Sequence, residues 1–155
     1  MADGPIHAYR ALLRSGAIKP DPCQELAAEK LQLLHRALGP YAEQMGKGGW
    51  KARLGLGRKV LPVPRGLYFY GGVGRGKTML MDIFYESSTI EARKHVHFHA
   101  FMLEVHDRVH RFREAAKAGK VAAEADPLPA LAKIIADRAW LLCFDEFHVT
   151  DIADA

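Results

Sequence analysis

The run from Gly71 to Thr78 restricts the possible folds of this chain more than any other stretch. It reads GGVGRGKT, fits the pattern G-x-x-x-x-G-K-[ST], follows an apolar segment at residues 67–70 and precedes a helical pattern at residues 79–84. Such a pattern is typical of a strand, a tight loop and a helix whose backbone amides surround a phosphate. We therefore predict a strand at residues 67–70, a phosphate-binding loop, and a helix that begins near Gly76.

The residue types in this loop indicate what it can bind. Glycines let the backbone turn tightly enough for successive N–H groups to face one phosphate chain. Lys77 can reach the outer phosphates, and the Thr78 hydroxyl can coordinate Mg²⁺. The predicted ligand is ATP, bound by Gly71, Gly72, Val73, Gly74, Arg75, Gly76, Lys77, Thr78 and Met79. A glycine-rich structural turn is the alternative interpretation.

A second candidate site follows the uninterrupted apolar run at residues 139–144, which ends at Asp145 and Glu146. A continuous apolar run favours a strand of a parallel sheet that is covered on both faces. The acids then lie at the carboxyl end of the strand, where ligands of open α/β sheets bind. We predict that Asp145 holds Mg²⁺ opposite Thr78, and that Glu146 orients or deprotonates an attacking water. Lys77 and Glu146 are the predicted catalytic residues; two solvated acids at a strand end are the alternative.

Periodicity and capping residues predict further elements. Asp21, Pro22 and Gln24 form the pattern of a capping box at the start of a helix. Leu128, Leu131 and Ile135 are expected to face inward from a helix that begins at Asp126. The expected helices are at residues 5–15, from Asp21 to a break or kink at Gly39-Pro40, at residues 101–117 and from Asp126 onward.

A strand is expected at residues 94–101, where apolar residues alternate with His95, His97 and His99. Three histidines at this spacing suggest a metal site. Alternation alone explains the row more simply, because neither a cysteine nor an acid within the strand completes a ligand set.

The composition narrows the class of protein. A chain of 155 residues with a formal charge of +4, spread along the sequence, is long enough for a core and gives no indication of nucleic-acid binding. Cys23 and Cys143 lie far apart, which indicates a reducing compartment, and Cys143 is expected to be buried. No apolar run approaches the roughly 18 residues of a membrane span, and the first residues do not form a signal peptide. We predict a cytoplasmic protein.

Several stretches are similar to the ZapE family of AAA+ ATPases, which comprises bacterial cell-division ATPases and mitochondrial AFG-type relatives. They are residues 66–82, 97–102, 126–128, 142–147 and 149–155. The resemblance implies an α/β P-loop NTPase of the AAA+ type, with a parallel sheet, flanking helices and an N-terminal helical segment. It implies domains at residues 1–61 and 62–155. It also implies ATP hydrolysis coupled to work on protein partners, which are division-ring or quality-control substrates, by a homo-oligomeric ring.

Family members continue beyond Asp145-Glu146 through a sensor strand, an arginine finger and a helical lid. We therefore expect this chain to be either an N-terminal piece of a longer protein or a shortened gene product, with a gap in the middle of its sheet. Because an arginine finger contributes about 10³–10⁵ in rate, the 155 residues alone are expected to hydrolyse ATP near background. Two other functions stay open. One is a nucleic-acid-dependent ATPase of the helicase-loader type, which would use a basic loop at residues 51–59. The other is a switch that binds ATP without hydrolysing it.

Overall fold

The structure is a computed structural model that describes residues 4–46, 62–119 and 126–148. Contacts divide the chain into two units, Met1–Glu91 and Ala92–Ala155. The predicted basic loop at residues 51–59 and the stretch at 149–155 lie outside the described residues. In chain order the elements are α1 (Pro5–Arg14), α2 (Pro22–Gly46), α3 (Lys77–Ser87), β1 (Arg93–His97), α4 (Phe98–Lys117), α5 (Pro127–Arg138) and β2 (Leu141–Asp145).

In the first unit, α1, α2 and α3 pack against one another. The predicted helix at residues 5–15 is confirmed as α1, and its Ile6 and Tyr9 are buried. The first turn of α1 is anchored to α2, because the Ile6 N–H donates to Gln32 Oε1 at 3.2 Å. The Tyr9 hydroxyl donates to the carbonyl oxygen of Asp21 at 3.5 Å. These contacts hold the start of α2 beside α1.

The predicted N-cap of α2 is confirmed. Asp21 Oδ1 accepts from the backbone N–H groups of Cys23 at 2.8 Å and of Gln24 at 3.3 Å. Of the predicted break or kink at Gly39-Pro40, the break is wrong, because α2 continues through Pro40 to Gly46. Proline removes one helical hydrogen bond at a cost of about 3 kcal/mol. Burial of Leu31 and Leu38, each stabilising by roughly 1.5–3 kcal/mol, offsets that loss.

The helix predicted to begin near Gly76 is confirmed as α3, and its Leu80 and Phe84 are buried. The predicted strand before it is wrong: residues 62–72 have no regular secondary structure. The only strands in the described ranges, β1 and β2, pair with each other. Residues 67–70 therefore have no described strand neighbour. The rings of Tyr68 and Tyr70 stack at 6.4 Å and are largely exposed.

The second unit contains a parallel pair of strands, in which β1 and β2 align Arg93 with Leu141 and His97 with Asp145. The predicted strand at 94–101 is correct only as far as His97, and α4 begins at Phe98, earlier than expected. Phe98 and Phe101 both contact the ring of Phe144. Residues three apart share a face in a helix but lie on opposite faces of a strand. The contact of both rings with Phe144 therefore favours a helix from Phe98 onward, and His99 lies in α4 and not in the strand.

The helix predicted from Asp126 is confirmed as α5, since Asp126 Oδ1 accepts from the Leu128 N–H at 2.9 Å. Leu131 is buried, but Leu128 is 59% exposed, so its predicted inward position is wrong. The predicted burial of Cys143 is confirmed. The rest of β2 is half-buried, so the predicted cover on both faces of the strand is wrong. None of the helices in the three described ranges combines the length and the hydrophobicity that a membrane span requires.

Candidate phosphate-binding loop and acidic strand end

The backbone of the loop depends on glycine. Positive φ angles occur at Gly71 (144°), Gly74 (75°) and Gly76 (81°), and Gly76 is the N-cap of α3. At Gly76 a side chain is excluded for a second reason, because a Cβ built there would lie 2.9 Å from Gln24 Nε2. The loop therefore adopts a backbone that the pattern of glycines requires, in direct contact with α2.

The loop leads directly into the N-terminus of α3. The first helical hydrogen bond runs from the Leu80 N–H to the Gly76 carbonyl oxygen at 3.0 Å, and Gly76 supplies no side-chain cap. The helix itself thus supplies no acceptor for the amides that precede Leu80. Amides of this kind and the positive end of the helix dipole attract anions. The start of α3 is therefore suited to an anion.

The ammonium group of Lys77 lies against the loop backbone. Its Nζ donates to the carbonyl oxygens of Gly71 at 3.0 Å and Gly72 at 2.8 Å. A cation with three N–H donors in this place can exchange backbone carbonyls for phosphate oxygens. Thr78, the predicted Mg²⁺ ligand in the first turn of α3, is exposed.

The first turn of α2 contacts the loop at Arg75. Gln24 Nε2 donates to the Arg75 carbonyl oxygen at 3.1 Å, and Arg75 Nη2 pairs with Asp21 Oδ2 at 3.3 Å. Sequence reasoning missed both contacts, since it treated Asp21 and Gln24 only as capping residues. The expected reciprocal cap from the Gln24 side chain is replaced by its bond to Arg75. Partners separated by 51 and 54 positions leave no local signal in the sequence.

The acidic pair lies where β2 ends. Asp145 is the last residue of β2, is half-buried and is aligned with His97 in the neighbouring strand. Its Oδ1 accepts from the Glu146 N–H at 2.9 Å. Glu146 has a φ of 50°, and in the described ranges no other non-glycine residue has a positive φ. A strained backbone of this kind is common at functional sites. Sequence analysis did not identify the neighbouring His97 as part of this strand end.

Two phenylalanines flank the acids and fix them to α4. Phe144 contacts Phe98 at 5.8 Å and Phe101 at 4.9 Å between ring centroids, and Phe147 contacts Phe98 at 4.3 Å. Because residues on both sides of Asp145-Glu146 pack on the first turn of α4, the direction in which the chain leaves β2 is restricted.

An ion-pair network ties β1 to α4. Lys94 Nζ lies 2.9 Å from Glu104 Oε2, and Arg108 Nη2 lies 2.8 Å from Glu104 Oε1. The hydrogen bonds from Lys94 and from Arg108 lower the pKa of Glu104 to about 2. Glu104 therefore stays ionised at any pH at which the protein functions.

The two predicted Mg²⁺ ligands, Thr78 in the first unit and Asp145 in the second, both offer oxygen atoms. Within the described ranges, no group of three or more His, Cys, Asp or Glu side chains is arranged to hold a metal ion. Mg²⁺ usually keeps several waters and takes only one or two protein oxygens beside substrate phosphates. The Thr78 hydroxyl and the Asp145 carboxylate are donors of the appropriate chemistry.

Comparisons with known proteins bear on this chemistry. A family model described as AFG1-like ATPase matches residues 4–155. Cell division protein ZapE of Escherichia coli (strain K12) is 38% identical over 160 aligned residues, which cover 97% of this chain and 40% of that protein. Lactation elevated protein 1 homolog B of Danio rerio is 34% identical, with 95% of this chain and 37% of that protein covered. The chain thus spans about two fifths of the length of these curated relatives. No solved structure matches the chain significantly.

Proposed function

From the premise that the chain belongs to the AFG1-like ATPase family, we propose that it binds ATP with Mg²⁺ and takes part in ATP hydrolysis coupled to the remodelling or positioning of protein partners. Membership confirms the resemblance noted in the sequence. The single observation that supports nucleotide binding best is the loop itself. It enters the N-terminus of α3 through Gly76 and places the Lys77 ammonium 2.8 Å from a loop carbonyl.

The proposed roles follow from the chemistry of each group. The amides of residues 71–79 bind the phosphates, and Lys77 neutralises the charge of the outer ones. Thr78 and Asp145 hold Mg²⁺, which offsets the negative charge of the β- and γ-phosphates when bound. Glu146 orients a water or takes its proton. The packing of Phe144 and Phe147 on α4 supports the position of both acids.

The rest of the proposal concerns the whole protein. The Escherichia coli relative is named as a cell-division protein, which supports protein partners and a role in cell division. We propose a role in protein quality control as the alternative. We propose an AAA+ fold, a homo-oligomeric ring and a cytoplasmic location. Near-background turnover by the 155 residues alone stays a prediction, and the domains at residues 1–61 and 62–155 stay proposals.

Equilibrium binding of a fluorescent, non-hydrolysable ATP analogue, with and without Mg²⁺, tests nucleotide binding. The wild-type protein should bind, and Lys77→Ala should lose at least about tenfold in affinity, because a hydrogen bond to a charged group is worth roughly 1.5–3 kcal/mol. Lys30→Ala, which removes an exposed cation from α2 of the same unit, is the matched control and should bind like wild type. Equal affinity of all three proteins would contradict the proposal.

A further inference from the structure

Two side chains from one turn of α2 hold one residue of the phosphate loop. Gln24 contacts the backbone of Arg75 through its amide, and Asp21 contacts the guanidinium of the same residue. The Asp21 carboxylate also caps α2 through its other oxygen, Oδ1. The start of α2 and the loop are therefore joined through shared groups.

The environment of Gln24 indicates that its loop contact is specific. Its Oε1 atom is buried and has no hydrogen-bond partner among residues 4–46, 62–119 and 126–148. Buried polar atoms without a partner are rare and costly. The Nε2 atom, by contrast, lies under Gly76, where even one added Cβ would be 2.9 Å away, and donates to Arg75. The side chain thus keeps its loop contact even though its oxygen has no partner.

The Lys77 ammonium holds the start of the loop through the carbonyl oxygens of Gly71 and Gly72. Val73 is fully exposed, and residues 71–75 are all exposed. A flexible loop must be ordered when it binds phosphate, and this ordering reduces affinity. Contacts that hold the loop in place before the ligand arrives remove part of that cost.

We propose that Gln24 and Asp21 are positioning residues that hold the phosphate loop in its binding conformation, so that the N-terminal helical segment sets nucleotide affinity. This inference rests on the proposed function. Neither residue needs to touch the nucleotide, because both act through Arg75. The carbonyl oxygen of Asp21 also accepts a hydrogen bond from the Tyr9 hydroxyl of α1. A displacement of α1 is therefore expected to move Asp21 and, through Arg75, the phosphate loop.

The test compares Gln24→Met and Asp21→Asn with wild type in the same binding assay. Gln24→Met keeps the size of the side chain and removes its Nε2 donor. Asp21→Asn keeps an N-cap acceptor, since Asn caps helices as well as Asp does, and removes the charge that pairs with Arg75. Gln24→Met should weaken binding by about 2- to 10-fold, as expected for the loss of one neutral hydrogen bond. Asp21→Asn should weaken it by up to about 5-fold, because the pair with Arg75 is partly exposed. Glu25→Gln removes a charge from the same turn without a described loop contact and should bind like wild type.

Hydrogen exchange at the junction of the loop and α3, measured without nucleotide, supplies a second readout, which a general loss of stability would not reproduce. The Leu80 amide, which donates to the Gly76 carbonyl oxygen, should exchange faster in Gln24→Met and in Asp21→Asn, while amides in the core of α2 keep their protection. If wild type binds nucleotide and Lys77→Ala does not, but both variants keep wild-type affinity and exchange, the inference is overturned and the proposed function stands. If wild type itself does not bind, both are overturned.

Discussion

Gln24 Nε2 occupies the space beside Gly76 in which any other residue would place its Cβ, at a separation of 2.9 Å. The conformation of Gly76, with a φ of 81°, is also one that residues with a side chain rarely adopt. Contact and conformation thus restrict position 76 independently. The glycine before Lys77 is needed both for the turn into α3 and for the approach of α2.

Substitution Gly76→Ala should therefore lower the free energy of unfolding by about 1–2 kcal/mol from the left-handed backbone alone, and further through the displaced Gln24. Gly66→Ala is the matched control, because a Cβ there meets no atom within 4 Å and Gly66 has no positive φ. It should leave stability unchanged or raise it by up to about 1 kcal/mol. Chemical denaturation of the two variants measures both changes. A neutral Gly76→Ala would refute this account of the loop.

Glu146 has a φ of 50° at the end of β2, so replacing it with glycine should relieve backbone strain. In Glu146→Gly, the release of roughly 1–2 kcal/mol is partly offset by the greater entropy of glycine in the unfolded chain, about 0.5–1 kcal/mol. We expect a net gain of about 0.5–1 kcal/mol in the free energy of unfolding. Glu146→Gln keeps the Cβ and should match wild type. A loss of stability in Glu146→Gly would show that the strain is absent.

The network around Glu104 predicts a pH dependence. Its pKa is lowered from 4.5 to about 2 in the folded protein, so the stabilisation is present above pH 4.5 and is lost as the pH falls towards 2. Because the Glu104 side chain is 39% exposed and partly screened by solvent, the pKa shift corresponds to less than its full stabilisation. We expect the network to add about 1 kcal/mol to the free energy of unfolding.

Unfolding free energies measured between pH 5.5 and pH 3 check this dependence. Glu104→Gln should flatten the slope. Glu114→Gln should change it less, because Glu114, whose pKa is also lowered by its hydrogen bond to Lys117, is 52% exposed and more screened by solvent. The same slope in Glu104→Gln and in wild type would contradict the proposed role of the network.

Local signals in the sequence predicted much of this structure. Asp21 and Asp126 cap the helices that they were expected to cap, and α3 begins beside Gly76. Each of these features depends on residues within a few positions of one another. The sequence also predicted a parallel sheet, and β1 and β2 pair in parallel, although their being neighbours was not predicted.

The failures depend on contacts between distant residues. His97 ends β1 because Phe98 and Phe101 pack on Phe144, and the alternation of the sequence carries no information about that ring. Residues 67–70 have the composition of a strand, but a strand also requires a hydrogen-bonded neighbour, which composition does not supply. The contact of Gln24 with Arg75 spans 51 positions. Helix-capping rules use only neighbouring residues, so they identify Gln24 as a residue of the first turn of α2 and give no information about Arg75.

The central claim is that the loop and the strand-end acid serve one magnesium-bound nucleotide. The most direct measurement is the gain in affinity for the ATP analogue when Mg²⁺ is added. It is compared in wild type, Thr78→Ala, Asp145→Asn and the double variant. Asp137→Asn, an exposed residue in the same unit as Asp145, is the control. Groups that hold one ion are coupled, so their effects should not add. We predict that each single variant loses most of the Mg²⁺ effect and that the double variant loses no more. A wild-type Mg²⁺ effect in Asp145→Asn, or additive losses in the double variant, would contradict the claim.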